Sequence, residues 1–536
     1  MATALRPSSG RPSPHVGLGG PRAPAWALTI GAFGGLAYAV LVAIALLSAN
    51  ADLLQALSIA PLLVMLTVPI ALGIARREGD RTLAAIVMAA LIAKLASALV
   101  RYYVAFIVYD GASDASQYNT AARTLAPKFR EFDFDTGIGK VIGTGFLKIV
   151  TGVVYAIFGT SKIGGFLVFA WLGFIGLLLF WRAFRIAVPE GDGRRYLLLV
   201  LFLPSLLYWP SAIGKEAWTL LALGACAYGV ARILRQRGPG MVVLSVGLLG
   251  VAMVRPHIGL VLFVGVVFAM LVQKTRARSY LVPLARVTGL AIILGIGVLL
   301  AGRTASFLGT ESLTQESVEV ELSETETQTA DGGSQFTPVR VSTPLHYPVA
   351  FVTVFFRPFV TEAGNAQGVL SALEGVVLGC LCLASWKRIR AIPQHLRSSP
   401  YIAFSIGYVL AFVYAFSSFS NFGILARQRV QALPLLLVLL AIPEYRAEVP
   451  SPSPHSSRQR GVPRRLRSAG AAGLVPQRHH DEPVRTGAGQ LDRAGTAGDG
   501  QADLGLGLGT EPEGGDRKRT RSEPRRSADR RRSEPR

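Results

Sequence analysis

The sequence predicts an all-α polytopic membrane protein with about 12 transmembrane helices. Of its 536 residues, 51% are hydrophobic and only 16% are charged. The apolar residues also cluster in blocks of about 17–25 residues, the length that crosses a bilayer as a helix. Backbone polar groups cannot stay unpaired in hydrocarbon, so we expect these blocks to be helical.

The positive charge of the chain predicts membrane topology rather than a nucleic-acid partner. The net charge of +22 comes from 55 basic and 33 acidic residues, which concentrate in short loops and in the last part of the chain. All three cysteines, Cys226, Cys380 and Cys382, fall inside apolar blocks. Their spacing is typical of neither a disulfide framework nor a metal site, so we interpret them as buried thiols.

The order of apolar and polar segments predicts three regions. We expect residues 1–24 to be a disordered cytoplasmic N-terminus, residues 25–444 to be the transmembrane domain, and residues 445–536 to be a disordered, basic cytoplasmic tail. The predicted location is the plasma membrane, with both termini inside. The predicted spans are 25–47, 53–75, 83–109, 164–180, 196–212, 217–231, 241–254, 258–272, 280–301, 368–386, 401–419 and 430–442.

Two long loops are predicted on the outer face, at residues 110–162 and 303–366. The apolar segment 141–158 within the first loop is long enough to cross the membrane. A crossing there would place the arginine-rich stretch WRAFRIAVPEGDGRR outside, against the positive-inside rule. We therefore predict juxtamembrane helices in the first outer loop. The aromatic second half of the other loop predicts a helix lying at the interface.

The stretch VYDGASDASQYNTAAR, which follows the third predicted span, holds the first candidate residues. If the chain turns helical after Gly111, Asp114 and Tyr118 lie on one face. We expect Asp114, or else Asp110, to be a catalytic carboxylate, and Tyr118 to orient a sugar or an acceptor. Helix capping or a solvated loop is the ordinary alternative for both aspartates.

The predicted topology gathers further ionisable residues on the outer face, where few cations are expected in short loops. A carboxylate that takes a proton from a hydroxyl, beside cations that hold a departing phosphate, suits transfer from a phosphorylated lipid. The candidates for binding phosphate are Lys215, Arg255, His257, Arg357, Arg427 and Arg429. Glu216 is a second candidate for orienting the sugar or acceptor, and Glu362 lies on the same face.

Each of these residues also has an ordinary interpretation. Lys215 and Glu216 can be interfacial anchors, Arg427 and Arg429 can reach lipid head groups, and Arg357 can position an interfacial helix. Lys94 and Arg101, inside the third span, are predicted to be buried partners within the bundle, without a chemical role.

Several stretches resemble the GT-C glycosyltransferases, in the branch similar to protein mannosyltransferases and lipid A aminoarabinose transferases. The resemblance covers roughly residues 85 to 440. This chain differs from many members of the family in two respects. Its two aspartates, Asp110 and Asp114, are separated, where many members have paired acidic residues. Two additional spans also precede the loop that holds these aspartates. The similar stretches are DASQYNTAA, VVYAIFGTSKIGG, FLPSLLYWPSAIGKEAW, VAMVRPHIGL and ARQRVQALPLLL.

The resemblance implies an inverting transfer from a polyprenyl-phosphate-linked sugar to a hydroxyl of a glycan, lipid or protein. No metal cluster is visible in the sequence, although a divalent cation shared by Asp114 and the phosphate stays open. The stretch PSLLYWPSAIGKEAW also resembles polysaccharide polymerases that extend lipid-linked repeat units. A transporter or flippase of lipid-linked or anionic solutes is a different class, which would need charges or broken helices at the membrane midplane. A purely structural protein would leave the outer cations unexplained.

Overall fold

The computed structural model describes residues 38–236, 238–272 and 334–444, together with Leu36 and some positions between 295 and 304. The described residues all belong to one compact unit, Met1–Val449. The two predicted disordered termini, most of the predicted spans 25–47 and 280–301, and the acidic half of the second outer loop lie outside the described residues.

Within the described ranges, all regular secondary structure is helical, and the only β-type pairing is an isolated bridge between Gln335 and Asn421. The helices are α1 (Tyr38–Leu47), α2 (Ala51–Glu78), α3 (Thr82–Tyr103), α4 (Asp114–Arg130), α5 (Thr144–Phe158), α6 (Lys162–Ala187), α7 (Gly193–Phe202), α8 (Pro204–Tyr208), α9 (Lys215–Leu234), α10 (Gly240–Ala252), α11 (Pro256–Val272), α12 (Tyr347–Phe356), α13 (Ala366–Ala384), α14 (Trp386–Arg390), α15 (Ile392–Ser398), α16 (Pro400–Phe416), α17 (Phe422–Gln428) and α18 (Leu433–Val438).

The chain is an all-α membrane protein, but the described residues do not contain twelve spans. Six helical segments are long and apolar enough to cross a bilayer, and a seventh is reached if α15 and α16, which meet at a 114° bend, count as one span. The six are Ala51–Glu78, Thr82–Val108, Val141–Phe158, Lys162–Ala187, Lys215–Leu234 and Ala366–Ala384. Helices α10 and α11 are shorter, with 13 and 17 residues.

One end of the bundle, which we name the basic end, collects the arginines that follow the long helices. Arg185 at the end of α6 pairs with Glu78 at the end of α2, with 2.5 Å between Nη2 and Oε2. Arg235 donates to the carbonyl of Ala187 at 2.9 Å. Contacts of this kind hold the ends of α2, α6 and α9 together.

The opposite end, which we name the site end, is where α2, α6 and α9 begin. The start of α6 binds the start of α2, since the backbone N–H of Lys162 donates to Asp52 Oδ1 at 2.6 Å. Helices α6 and α9 then run side by side in close contact at Gly176 and Gly224. A Cβ atom on Gly224 would lie 2.3 Å from the Gly176 carbonyl oxygen, so these glycines permit the close packing.

Helices α4 and α5 form a pair at the site end. Before α5, the N–H of Gly143 donates to the carbonyl of Met253, at the end of α10, at 2.8 Å. After α5, Gly159 packs against Gln55 in the first turn of α2. Both ends of α5 therefore contact the same end of the bundle, as a juxtamembrane helix requires, although α5 has the composition of a span.

The predicted span 196–212 is broken at Pro204. Leu203, which precedes this proline, is extended with φ −63° and ψ 126°, the conformation that a following proline favours. Lys94 from α3 is fully buried and donates to the carbonyls of Leu206 and Leu207 at 2.7 and 3.1 Å. In the first turn of the same short helix α8, the N–H of Ser205 donates to Glu374 Oε2 at 2.6 Å. The broken helix is therefore held by two buried ionisable side chains.

The placement of α5 predicts a specific pattern of cysteine labelling. In a background without the three native cysteines, Asp135→Cys and Thr160→Cys flank α5, whereas Glu190→Cys marks the basic end. A membrane-impermeant maleimide is expected to label positions 135 and 160 from the same side and position 190 from the other. Labelling of 135 and 160 from opposite sides would mean that α5 crosses the membrane.

Candidate functional site

A tight turn places the first candidate residues at the site end. Helix α3 ends in a π-helical turn, Val104–Val108, after which Asp110 and Gly111 have positive φ values of 46° and 76°. Ser116 Oγ donates to the carbonyl of Gly111 at 2.6 Å and fixes the turn. Helix α4 then begins at Asp114, so the predicted helical spacing of Asp114 and Tyr118 is present.

Arg427 joins two carboxylates that lie 102 positions apart in the chain. Its Nη2 lies 2.9 Å from Asp114 Oδ2, and its Nε lies 2.8 Å from Glu216 Oε1. The Asp114 and Arg427 side chains are 44% and 30% exposed, whereas that of Glu216 is 6% exposed. One arginine thus links an accessible carboxylate to a buried one.

Glu216 receives a second arginine from the hairpin between α10 and α11. Arg255 Nη2 donates to Glu216 Oε1 at 2.7 Å, and its Nη1 donates to Gln428 Oε1 at 2.5 Å. The Arg255 side chain is 7% exposed. Gln428 also accepts from Gln431 Nε2 at 2.6 Å. The buried side of the site is therefore a continuous hydrogen-bonded network, which we name the Glu216 network.

Two further candidates lie next to this network. Lys215 opens α9 and interacts electrostatically with Asp114, Glu216, Arg255 and Arg427. His257 follows Arg255 by two positions, and its ring centroid lies 6.4 Å from that of Phe416. The cluster carries a net charge of +1, because three cations face the two carboxylates of Asp114 and Glu216.

The local charges fix the protonation of two groups. The neighbouring Glu216 carboxylate, and then Asp114, raise the pKa of the Arg427 guanidinium above its usual value. Burial raises the pKa of the Tyr118 phenol, and the charge of Asp114 raises it further. Arg427 is therefore a permanent cation at neutral pH, and Tyr118 is a neutral phenol rather than a base.

Three predicted site residues are not brought to this cluster. Asp110 is exposed on the turn before α4, and its carboxylate takes no part in the Glu216 network. Arg357 pairs with Glu362 and lies over the ring of Phe336, with 4.5 Å from Cζ to the ring centroid. We therefore leave Asp110 and Arg357 out of the site.

Arg429 is the third residue outside the cluster, because it points into the bundle. Its side chain is 1% exposed and donates to the carbonyl of Phe355 at 3.2 Å. Its Nη2 also lies 3.7 Å from Glu374 Oε1. The sequence prediction did not single out Glu374, although an isolated carboxylate in the apolar stretch LSALEGVVLG is the type of signal that marks an important group at membrane depth.

Gln428 is another residue that the sequence prediction missed. It lies between Arg427 and Arg429, and only the fold shows that it turns towards Arg255. Glu216 lies deeper than a residue that orients a sugar or an acceptor is expected to lie. Because it lies buried between two arginines, it positions cations and is not placed to contact a sugar directly.

The cluster has the groups needed for acid–base chemistry beside an anion. Asp114 Oδ2 accepts from Arg427, whereas Oδ1 has only a long 3.4 Å contact with the Gln117 amide and keeps capacity to accept a proton. Lys215 and Arg427 supply positive charge next to it. In the described part of the chain, no group of three or more His, Cys, Asp or Glu side chains is placed to hold a metal ion.

Comparisons with known proteins do not add to this description. No family model, curated protein or solved structure matches the chain. An inference about function therefore depends on the geometry and chemistry of the site itself.

The difference in burial within the cluster predicts two unequal effects on stability. Glu216→Gln leaves Arg255 and Arg427 without their shared carboxylate, and loss of one partner of a buried pair costs about 3–5 kcal/mol. Asp114→Asn removes a largely exposed pair, which costs roughly 0–1 kcal/mol. Thermal unfolding of the purified variants in detergent measures both effects. An Asp114→Asn variant as destabilised as Glu216→Gln would contradict this account.

Proposed function

We propose that the protein is a membrane glycosyltransferase, which moves a sugar from a polyprenyl-phosphate donor to an acceptor hydroxyl. The site end faces the extracytoplasmic side, and the basic end faces the cytoplasm, in accordance with the positive-inside rule. The lipid chain of the donor enters laterally between helices, and its phosphate lies at the level of the Glu216 network.

In the proposed reaction, Asp114 takes the proton of the acceptor hydroxyl. The hydroxyl oxygen attacks the anomeric carbon, and the bond between that carbon and the phosphate oxygen breaks. The electron pair of this bond stays on the leaving polyprenyl phosphate, and the sugar is transferred with inversion. Asp114 then releases its proton to water, which returns the site to its starting state.

The remaining residues of the cluster have distinct roles in this proposal. Arg427 and Lys215 bind the phosphate and stabilise the charge that develops on it. Glu216 and Arg255 are positioning residues, since they are buried and hold Arg427 in place. Tyr118 is a neutral phenol one turn from Asp114, and its side chain is fully buried. In this proposal it therefore supports Asp114 from within the bundle and does not contact the acceptor or the sugar directly. His257 lies two positions after Arg255, in the first turn of α11.

The observation that carries the proposal is the salt bridge between Asp114 and Arg427, anchored to the buried Glu216 network. It places a candidate base and a permanent cation side by side at one end of a membrane bundle. An inverting sugar transfer needs a base on the side of the attacking hydroxyl and a cation on the side of the leaving phosphate oxygen, and this cluster supplies both within one site. A polysaccharide polymerase acting on lipid-linked repeat units would use the same donor chemistry.

A transporter or flippase is the second candidate function, and the break between α7 and α8 favours it. Discontinuous helices with ionisable side chains are typical of transporter sites near the midplane. Lys94 and Glu374 bind the two ends of α8, the short helix that follows the break. Both are buried and are bound to backbone atoms of this helix.

One proteoliposome assay distinguishes sugar transfer from transport. The donors are labelled long-chain polyprenyl-phosphate hexoses and pentoses, and a native lipid extract supplies the acceptor. Asp114→Asn is expected to lower the rate of sugar transfer by about 10²–10⁴-fold, the usual contribution of a general base. Asp133→Asn removes an exposed carboxylate just beyond α4, which forms an ion pair with Lys128 and accepts from the backbone N–H of Asp135. It is the matched control and should keep full activity.

Two outcomes would contradict separate parts of the proposal, the first the identity of the base and the second the enzymatic activity. Undiminished transfer by Asp114→Asn would exclude Asp114 as the base, and the Asp110→Asn variant would then test the other aspartate. Movement of the intact donor across the liposome membrane without transfer, abolished by Lys94→Met but not by Asp114→Asn, would favour the transporter.

A further inference from the structure

A groove between α2 and α6 reaches the basic end of the bundle. Its volume is about 310 Å³, and residues of these two helices line it. The lining is apolar along most of its length, and two arginines, Arg77 and Arg182, lie at its end. The apolar part includes Ile70, Gly73, Ile74, Ile175 and Leu178.

Helix α2, which forms one wall of the groove, exposes apolar side chains on the surface of the bundle. Met65 and Leu72 of α2 are 70% and 45% exposed, and Ile70 is 38% exposed. A membrane protein exposes apolar side chains of this kind to the hydrocarbon of the bilayer. The groove is therefore accessible to an acyl chain along its length.

The two arginines at the groove carry unneutralised charge. Within the described ranges, the side chains of Arg77 and Arg182 make no hydrogen bond, ion pair or ring contact. The neighbouring Arg185 differs from them, because Glu78 neutralises it. Two arginines beside an apolar groove are complementary to a phosphate that is joined to an acyl chain.

We propose that this groove binds an anionic phospholipid. Arg77 and Arg182 hold the phosphate at the basic end, and one acyl chain lies along the apolar wall towards Ile70. Basic pockets between membrane helices recognise anionic head groups in this way. The site is separate from the Glu216 network, which lies at the opposite end of the bundle, so it does not depend on the proposed function.

Gly73 keeps the middle of the groove open. A Cβ atom added at this position would meet no heavy atom within 4 Å, so a larger side chain fits without a clash. Leucine also favours helix more than glycine does. Gly73→Leu is therefore expected to fill the groove while leaving α2 intact.

The experiment is native mass spectrometry of the full-length protein with an equimolar mixture of phosphatidylglycerol and phosphatidylcholine of identical chains. The wild type is expected to retain phosphatidylglycerol preferentially. The double variant Arg77→Gln/Arg182→Gln should lose this preference by about tenfold, equivalent to 1.4 kcal/mol. Gly73→Leu should retain less of both lipids, because it removes the space for the chain.

The matched control is Arg76→Gln/Arg81→Gln, which removes the same charge from exposed positions near the same end but outside the groove. It should retain phosphatidylglycerol as the wild type does. An equal loss in this control would mean a general attraction to positive charge and would overturn the proposal. Equal retention of the two lipids by the wild type, or displacement of phosphatidylglycerol by inorganic phosphate alone, would also overturn it.

Discussion

The buried carboxylate of Glu216 is the constraint on which the site depends. A charge removed from water is costly unless it is paired and hydrogen-bonded, and Glu216 meets this requirement with Arg255 on one side and Arg427 on the other. This pairing joins the start of α9, the hairpin between α10 and α11, and α17. Because these contacts hold Arg427 in place, its Nη2 atom also reaches Asp114 on α4.

The two ends of the bundle differ in the arrangement of their charges. At the basic end, Arg185 pairs with a carboxylate, Arg388 donates to the carbonyl of Ile442, and Arg77 and Arg182 line the groove between α2 and α6. At the site end, carboxylates and cations converge from four separate segments of the chain. The broken helix between them, held by Lys94, adds polar groups in the bundle interior without joining the two ends.

The sequence predicted the parts of this fold that depend on local pattern. Hydropathy indicated a helical membrane protein, and residue spacing indicated that Asp114 and Tyr118 share one face of a helix. The break at Pro204 was predictable in principle, since the residue before a proline avoids helix. The partners of Arg427 and Arg429 could not be predicted from the sequence. These two arginines are only two positions apart, and tertiary packing alone directs one to Glu216 and the other to Glu374.

The most direct test of the account is the binding of a long-chain polyprenyl phosphate, without a sugar, to the full-length protein in nanodiscs. Arg427→Gln should weaken binding by about tenfold or more, a loss of at least 1.4 kcal/mol, because it removes the cation that meets the phosphate. Asp114→Asn should bind at least as tightly as the wild type, since it removes a negative charge beside the phosphate. Wild-type affinity in Arg427→Gln, or lost affinity in Asp114→Asn, would contradict the assignment of phosphate and base to this cluster.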